Sequence, residues 1–283
     1  MLFHHLWYDD VRFSQGKGDL GGNMIFLIAL LVLALLILAV MVKEAFANRV
    51  LHHELSFARF PASFDPLTIF FISDIHRRKI SEKIISKAIG ADMVIIGGDL
   101  TENKVPWKRV RNNIEKLSRI GPIYFIWGNN DYEVDTRQLK VLLLRHDATI
   151  LANTAREMRL QNDEQIYLLG VDDLAKERDR LHDALSGVKR DSFKILVSHN
   201  PEIMEKILPE YRIDLVLSGH THGGQIRIFN FGPYEKGGIK RKGNTVLFVS
   251  NGYGTTLLPL RLGAKAETHL ITITHSHSNR SNF

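Results

Sequence analysis

Cysteine is absent from this 283-residue chain, which excludes disulfide bonds, thiol nucleophiles and thiolate metal sites together. Internal repeats and low-complexity tracts are also missing, so repeat arrays and compositionally biased linkers drop out. One stretch lacks charge and polar groups altogether. Met24 to Val42 reads MIFLIALLVLALLILAVMV, and about 20 such residues match the thickness of a bilayer core, whereas the apolar part of a signal peptide runs about 7–15. No small-residue cleavage site of the Ala-x-Ala form follows cleanly, so the segment reads as a retained transmembrane helix over 24–42.

Residues 1–23 mix aromatic, histidine, aspartate and glycine residues without period. They are read as a leader, with Met24 as the expected initiator and the preceding residues an artefact of the gene start. Near the helix, Arg12 and Lys17 precede it while Lys43, Arg49 and Arg59 follow. With Met24 as the start, no basic residue precedes it, and positive-inside logic leans toward a cytoplasmic domain in a single-pass membrane protein. The lack of cysteine is equally compatible with an outward-facing one.

What remains is ordinary globular material: the chain is 45% hydrophobic and 24% charged, with enough length for one substantial core. Its net charge of +6 favours anionic partners, and beside a membrane segment the simpler partner is a lipid surface, with no nucleic acid expected. Residues 43–66 are read as a juxtamembrane linker whose apolar spacing suits an interfacial helix ended by Pro61 and Pro66. Residues 67–274 form the expected domain, followed by a tail over 275–283. Within it the pattern predicts strands near 67–73, 92–97 and 122–127 alternating with helices near 80–90, 106–119 and 135–146. Further strands are predicted at 165–170, 193–198, 213–218, 225–230, 245–250 and 268–274.

Five of these apolar runs end in residues that can bind metal. Leu67–Ile72 leads into Asp74 and His76; 92–96 into Gly98-Asp99; 123–127 into Gly128-Asn129-Asn130-Asp131; 193–197 into His199; and 213–217 into Gly219-His220-Thr221-His222. Among thirteen histidines a bare His-x-His pair carries little, and each motif alone is an ordinary turn or cap. Five together are different, because open α/β sheets gather ligands at the carboxyl ends of their strands. A mixed set of oxygen and imidazole donors without thiolate suits Mn, Fe or Zn, and seven donors are too many for one such ion. Two ions sharing a carboxylate is the economical solution.

Taken in order, these motifs resemble those of the calcineurin-like metallophosphoesterases. The longer string GHTHGGQIR, with 249–254 (VSNGYG) and 258–261 (LPLR) downstream, is similar to the membrane-associated bacterial branch of that superfamily. The resemblance implies a four-layer αββα sandwich. It also implies a first metal held by Asp74, His76 and His222, a bridging Asp99, and a second metal held by Asn129, His199 and His220. Attack on phosphorus by a metal-bridging hydroxide would follow. The chain departs from the family at Asn130, where many members carry a histidine that assists the leaving group; asparagine donates a hydrogen bond but is no general acid. The enzyme is then expected to prefer a good leaving group, to borrow an acid such as Asp131, or to be slow, and Arg77, next to the Asp-x-His loop, is a candidate phosphate ligand. The glycine-interrupted basic residues Lys236 to Lys242 read as a solvated rim. The function implied is a membrane-anchored phosphohydrolase acting on a phosphoester, with lipid esters included. The contrasting expectations are a non-catalytic scaffold of the same fold at the membrane and a metal-dependent nuclease.

Overall fold

A computed structural model describes residues 20–159, 164–229 and 231–276. The leader up to residue 19 and the tail beyond 276 lie outside the described residues. Compactness divides the chain between Ala39 and Val40. The first unit carries most of helix α1, Leu20–Ala45, whose span Gly21–Ala45 is long and apolar enough to cross a membrane. Met24, Phe26, Leu31 and Leu36 are all more than half exposed, an apolar surface that water does not tolerate at this extent.

The second unit begins with a correction. Residues 50–57, expected within an interfacial helix or linker, form strand β1, Val50–Phe57. It pairs in parallel, from Val50 opposite Thr268 to Phe57 opposite His275, with the last strand, β12, Thr268–His275. Leu55 and Phe57 are the positions it buries, and their spacing of two is the strand period. The domain therefore starts well before residue 67.

The predicted βα alternation holds through β2 (Leu67–Ile72), α2 (Glu82–Ala88), β3 (Met93–Gly97), α3 (Trp107–Ser118), β4 (Ile123–Ile126) and α4 (Thr136–Leu144). Helix starts follow local chemistry. Ser81 caps α2 by accepting from Lys83 N–H, and Asp135 caps α4 by accepting from Arg137 and Gln138 N–H, each satisfying amides that the first turn leaves open. After β5 (Thr149–Ile150) the second half supplies β6 (Thr154–Arg159), β7 (Gln165–Gly170), α5 (Leu181–Leu185), β8 (Phe193–Val197), β9 (Leu215–Ser218), β10 (Gly238–Lys242) and β11 (Thr245–Val249). Of the strand expected at 225–230, none forms over the described residues 225–229. Gly224 and Gln225 take positive φ, and only isolated bridges at Ile226 and Ile228 follow.

Two six-stranded sheets result, ordered β1-β12-β2-β3-β4-β5 and β10-β11-β9-β8-β7-β6. The apolar cluster between them includes Phe71, Ile95, Ile195, Leu217 and Phe248. A second cluster seals the first sheet against α2, α3 and α4 through Ile84, Ile114 and Leu139, and a third seals the other through Ala184 and Ile203. This is the four-layer αββα sandwich. β2, β3 and β4 run parallel to one another, as do β8 and β9, so five carboxyl ends carry the five motifs.

Candidate metal centre

Each strand end delivers its donor through a sharp turn. Asp74, His76, Asp99, His220 and His222 all have φ between 49° and 70°, a left-handed conformation that costs a non-glycine residue ~1–2 kcal/mol. Such strain persists where surrounding structure fixes it, and it collects at functional sites. Here the surroundings include glycines from other loops. A Cβ on Gly128 would collide with Asp99, and one on Gly219 with Asp74 and Ser73.

Asp99 occupies the middle. Its Oδ2 lies 3.6 Å from His76 Nε2 and 3.3 Å from His199 Nε2. On one side, His222 Nε2 is 3.4 Å from Asp74 Oδ1 and 3.1 Å from His76 Nε2. On the other, His220 Nδ1 meets Asn129 Oδ1 at 3.0 Å, and its main-chain N–H donates to Asp74. Two sets of donor atoms converge closely enough to hold an ion: Asp74, His76 and His222, and then Asp74, Asp99 and His199. The seven expected donors thus come to one place, with His220 and Asn129 paired at its margin.

The donor set fits divalent cations, as its electrostatics show. His199 Nε2 is fully buried, has no hydrogen-bond partner, and points at Asp99. Burial pushes the His199 ring down, but the Asp99 and Asp74 carboxylates outweigh it and raise the pKa to about 10. His76 is likewise held above its ordinary value, burial being outweighed by Glu102, Asp99 and Asp74. Buried carboxylates that draw protons onto neighbouring imidazoles demand positive charge, and a cation supplies it with better geometry.

Residues behind the donors set their directions. The His199 Nδ1 hydrogen bond to the Gly97 carbonyl, 2.8 Å, leaves the Nε2 lone pair facing inward. Glu102 places Oε2 2.9 Å from His76 Nδ1, off the line of a good hydrogen bond since that nitrogen counts as unpartnered. Carboxylates in this position fix the ring and raise its basicity. Arg261 is completely buried. Its Nη2 lies 3.1 Å from His222 Nδ1 and donates to the carbonyls of Asn251 and Gly254, which fixes the direction of the His222 ring. Neither Glu102 nor Arg261 stood out in the sequence as a site residue. The available signal for Arg261 was a lone charge inside the apolar string Leu258-Pro259-Leu260-Arg261-Leu262.

Three expectations change. Asp131 is no substitute acid: it is fully buried, and its carboxylate accepts from the main-chain N–H groups of Asp99, Gly128 and Thr101. Burial and the Asp99 charge push it up to about 8, against those amides, and it does not line the cleft. Asn130 also positions. Its Oδ1 accepts from Asn129 Nδ2 (2.9 Å) while its Nδ2 donates to Glu133, so Asn129 keeps its oxygen toward His220. Arg77 donates from Nε to Glu102 and does not line the cleft, so it braces the carboxylate behind His76.

The cleft itself has a volume of about 240 Å³ and is lined by Asp99, Asn129, Asn130, His220 and His222 together with Gln225, Tyr234 and Thr256, so Asn130 keeps the place at the cleft expected of it. A larger cavity, about 700 Å³, opens near Arg59, Asp214 and Lys242. Asp214 precedes β9, which places that cavity at the amino ends of the strands, away from the donors.

Carboxylate and imidazole donors gathered at the carboxyl ends of an αββα sandwich are the arrangement expected of the metallophosphoesterase class, and comparison with known proteins agrees. Residues 67–224 match the calcineurin-like phosphoesterase family, and the chain belongs to it. It is similar to YpbG, an uncharacterized protein of Bacillus subtilis (strain 168), at 48% identity over 211 residues, covering 74% of this chain and 81% of that protein. Phosphodiesterase YaeI of Escherichia coli (strain K12) is 27% identical over 244 residues, 79% of this chain and 87% of that one. A transmembrane protein with a metallophosphoesterase domain from Danio rerio is 31% identical over 268 residues, 85% of this chain but 61% of its own length.

Proposed function

We propose that this chain is a membrane-anchored phosphohydrolase that holds two divalent ions, Mn, Fe or Zn, and cleaves a phosphodiester. The observation that carries the reading is Asp99 Oδ2 standing between His76 Nε2 and His199 Nε2, 3.6 and 3.3 Å away. Asp74, His76 and His222 would hold one ion and Asn129, His199 and His220 the other, with Asp99 shared. Bound there, the ions would acidify water and neutralise charge on the phosphoryl group.

The protein's own part is orientation. Gly97, Glu102 and Arg261 aim three imidazoles, Asp131 fixes the main chain of Asp99, and Asn130 turns the Asn129 oxygen inward. Preorganisation of this kind avoids reorientation during the reaction. Asn130 offers no proton and Asp131 is sealed away, so the leaving oxygen departs without help from either residue. Esters with good leaving groups are therefore favoured, and a phosphodiesterase among the relatives supports the choice of diester.

Turnover of bis(p-nitrophenyl) phosphate by the full chain in detergent with Mn²⁺ is the direct test. Asp99→Asn and His199→Ala are each expected to lower it by on the order of a hundredfold or more. Two bound ions per chain with no turnover of any phosphoester would point to a scaffold and overturn the reading.

A further inference from the structure

Five strongly exposed apolar side chains outside α1 are gathered on the two loops that supply Gln225 and Thr256 to the cleft. Phe229 is 91% exposed, Leu257 86%, Phe231 81%, Ile228 66% and Leu258 61%. Soluble surfaces scatter such residues singly, whereas these five sit on two loops that are tied together. Gln225 donates from its side chain to the carbonyls of Thr256 and Leu258 and accepts from Thr256 N–H. Arg227 N–H donates to Leu262 O, and Leu262 N–H to Gln225 O. Ile228 and Phe231 exchange main-chain hydrogen bonds, closing a tight turn that leaves Phe229 projecting.

Two further facts say what covers this patch. The Arg261 N–H donates to Met41 O at 3.1 Å, and Met41 lies in the last apolar turn of α1, inside the same compact unit. Leu257 and Leu258 precede Arg261 by four and three residues, so their loop leads into this contact with the end of α1. Nearby in the chain stands exposed Lys236, ahead of β10, a charge that suits anionic headgroups, whereas Arg241 and Lys242 lie at the far end of β10 beside the larger cavity. Apolar and aromatic tips next to a basic residue are the chemistry of an interfacial membrane contact.

We propose that Ile228, Phe229, Phe231, Leu257 and Leu258 form a rim that enters the bilayer interface and turns the cleft toward phospholipid headgroups, making the substrate a lipid-borne phosphoester. Gln225, Tyr234 and Thr256, on the same two loops, are the cleft's wall. Docking the rim therefore presents the metal donors to a phosphate at headgroup depth. The substrate half rests on the phosphohydrolase reading; the membrane contact does not.

Because the chain has no cysteine, single cysteines report cleanly. In the full chain reconstituted into phosphatidylcholine–phosphatidylglycerol vesicles, an environment-sensitive fluorophore on Phe229→Cys or Leu257→Cys is expected to shift to the blue and be quenched by doxyl-labelled lipid. The same label on Ile89→Cys or Leu144→Cys, exposed elsewhere, should remain water-like. The triple variant Phe229→Ser, Phe231→Ser, Leu257→Ser should lower turnover of a vesicle-borne lipid phosphodiester by on the order of tenfold and leave turnover of bis(p-nitrophenyl) phosphate unchanged. Water-like emission at 229 and 257, with soluble turnover intact, would overturn the rim while sparing the phosphohydrolase. Lipid-buried labels on a chain that hydrolyses nothing would do the reverse. Lipid turnover unmoved by the triple variant would remove the substrate half.

Discussion

Glu102 is 6% exposed and touches His76 on one side and Arg77 on the other, so the direction of the His76 ring depends on a residue that binds no ion itself. Glu102→Gln keeps the volume and removes the charge. Isothermal titration with Mn²⁺ should show affinity falling roughly 10- to 100-fold with the folded structure unchanged by circular dichroism; unchanged affinity would show that Glu102 serves Arg77 alone. At this scale the sequence was legible for donors and opaque for their supports. Asp74, His76, Asp99 and the histidines announce themselves by chemistry at strand ends. Glu102 and Arg261 act through a partner distant in sequence, 26 residues from His76 and 39 from His222, and nothing local in the chain records that. Asn130 shows both sides: its place at the cleft was legible, while its hold on Asn129 depends on a side-chain contact that its type alone does not foretell.

Between residue and whole lie the elements, where a buried imidazole chain joins β1, β12 and the turn after β11. His53 Nε2 faces His269 Nδ1 at 3.2 Å, and His269 Nε2 meets Ser250 Oγ at 2.9 Å. Burial first, then the neighbouring His53, push the His269 ring down to about 3. The folded ring stays neutral while the unfolded one takes a proton below its ordinary value of 6.5. The unfolded state therefore binds more protons between pH 6.5 and 3, and stability falls as pH falls through that window. Urea unfolding of wild type and His269→Gln should show the difference between them shrinking by about 1.4 kcal/mol per pH unit below 6.5; a constant difference would contradict this. Periodicity foretold most elements within a few residues but missed β6, α5 and β10, the last read as a solvated rim, and failed at β1. Its apolar residues at 50, 51, 55 and 57 fit a helical stripe as well as a strand, and pairing with β12, more than two hundred residues onward, decided between them. The segment after Gly224 failed oppositely: apolar enough for a strand, it turns outward because Gly224 and Gln225 break the run.

Across the whole molecule, the order in which parts are made differs from the order in which they pack. β12 lies between β1 and β2, the first two strands of the domain to leave the ribosome. All seven candidate donors lie before residue 223, yet the sheet that carries four of them stays open until residues 268–275 fill the gap. A chain ended at residue 267 is accordingly expected to retain every donor and still bind no Mn²⁺ in the same titration; stoichiometric binding would show that the centre forms without the closing strand. Non-local closure of this kind is slow and leaves unpaired edges exposed meanwhile. Maturation becomes a problem of waiting: two strands stand apart, open to wrong partners, until the last strand of the domain arrives to lock them.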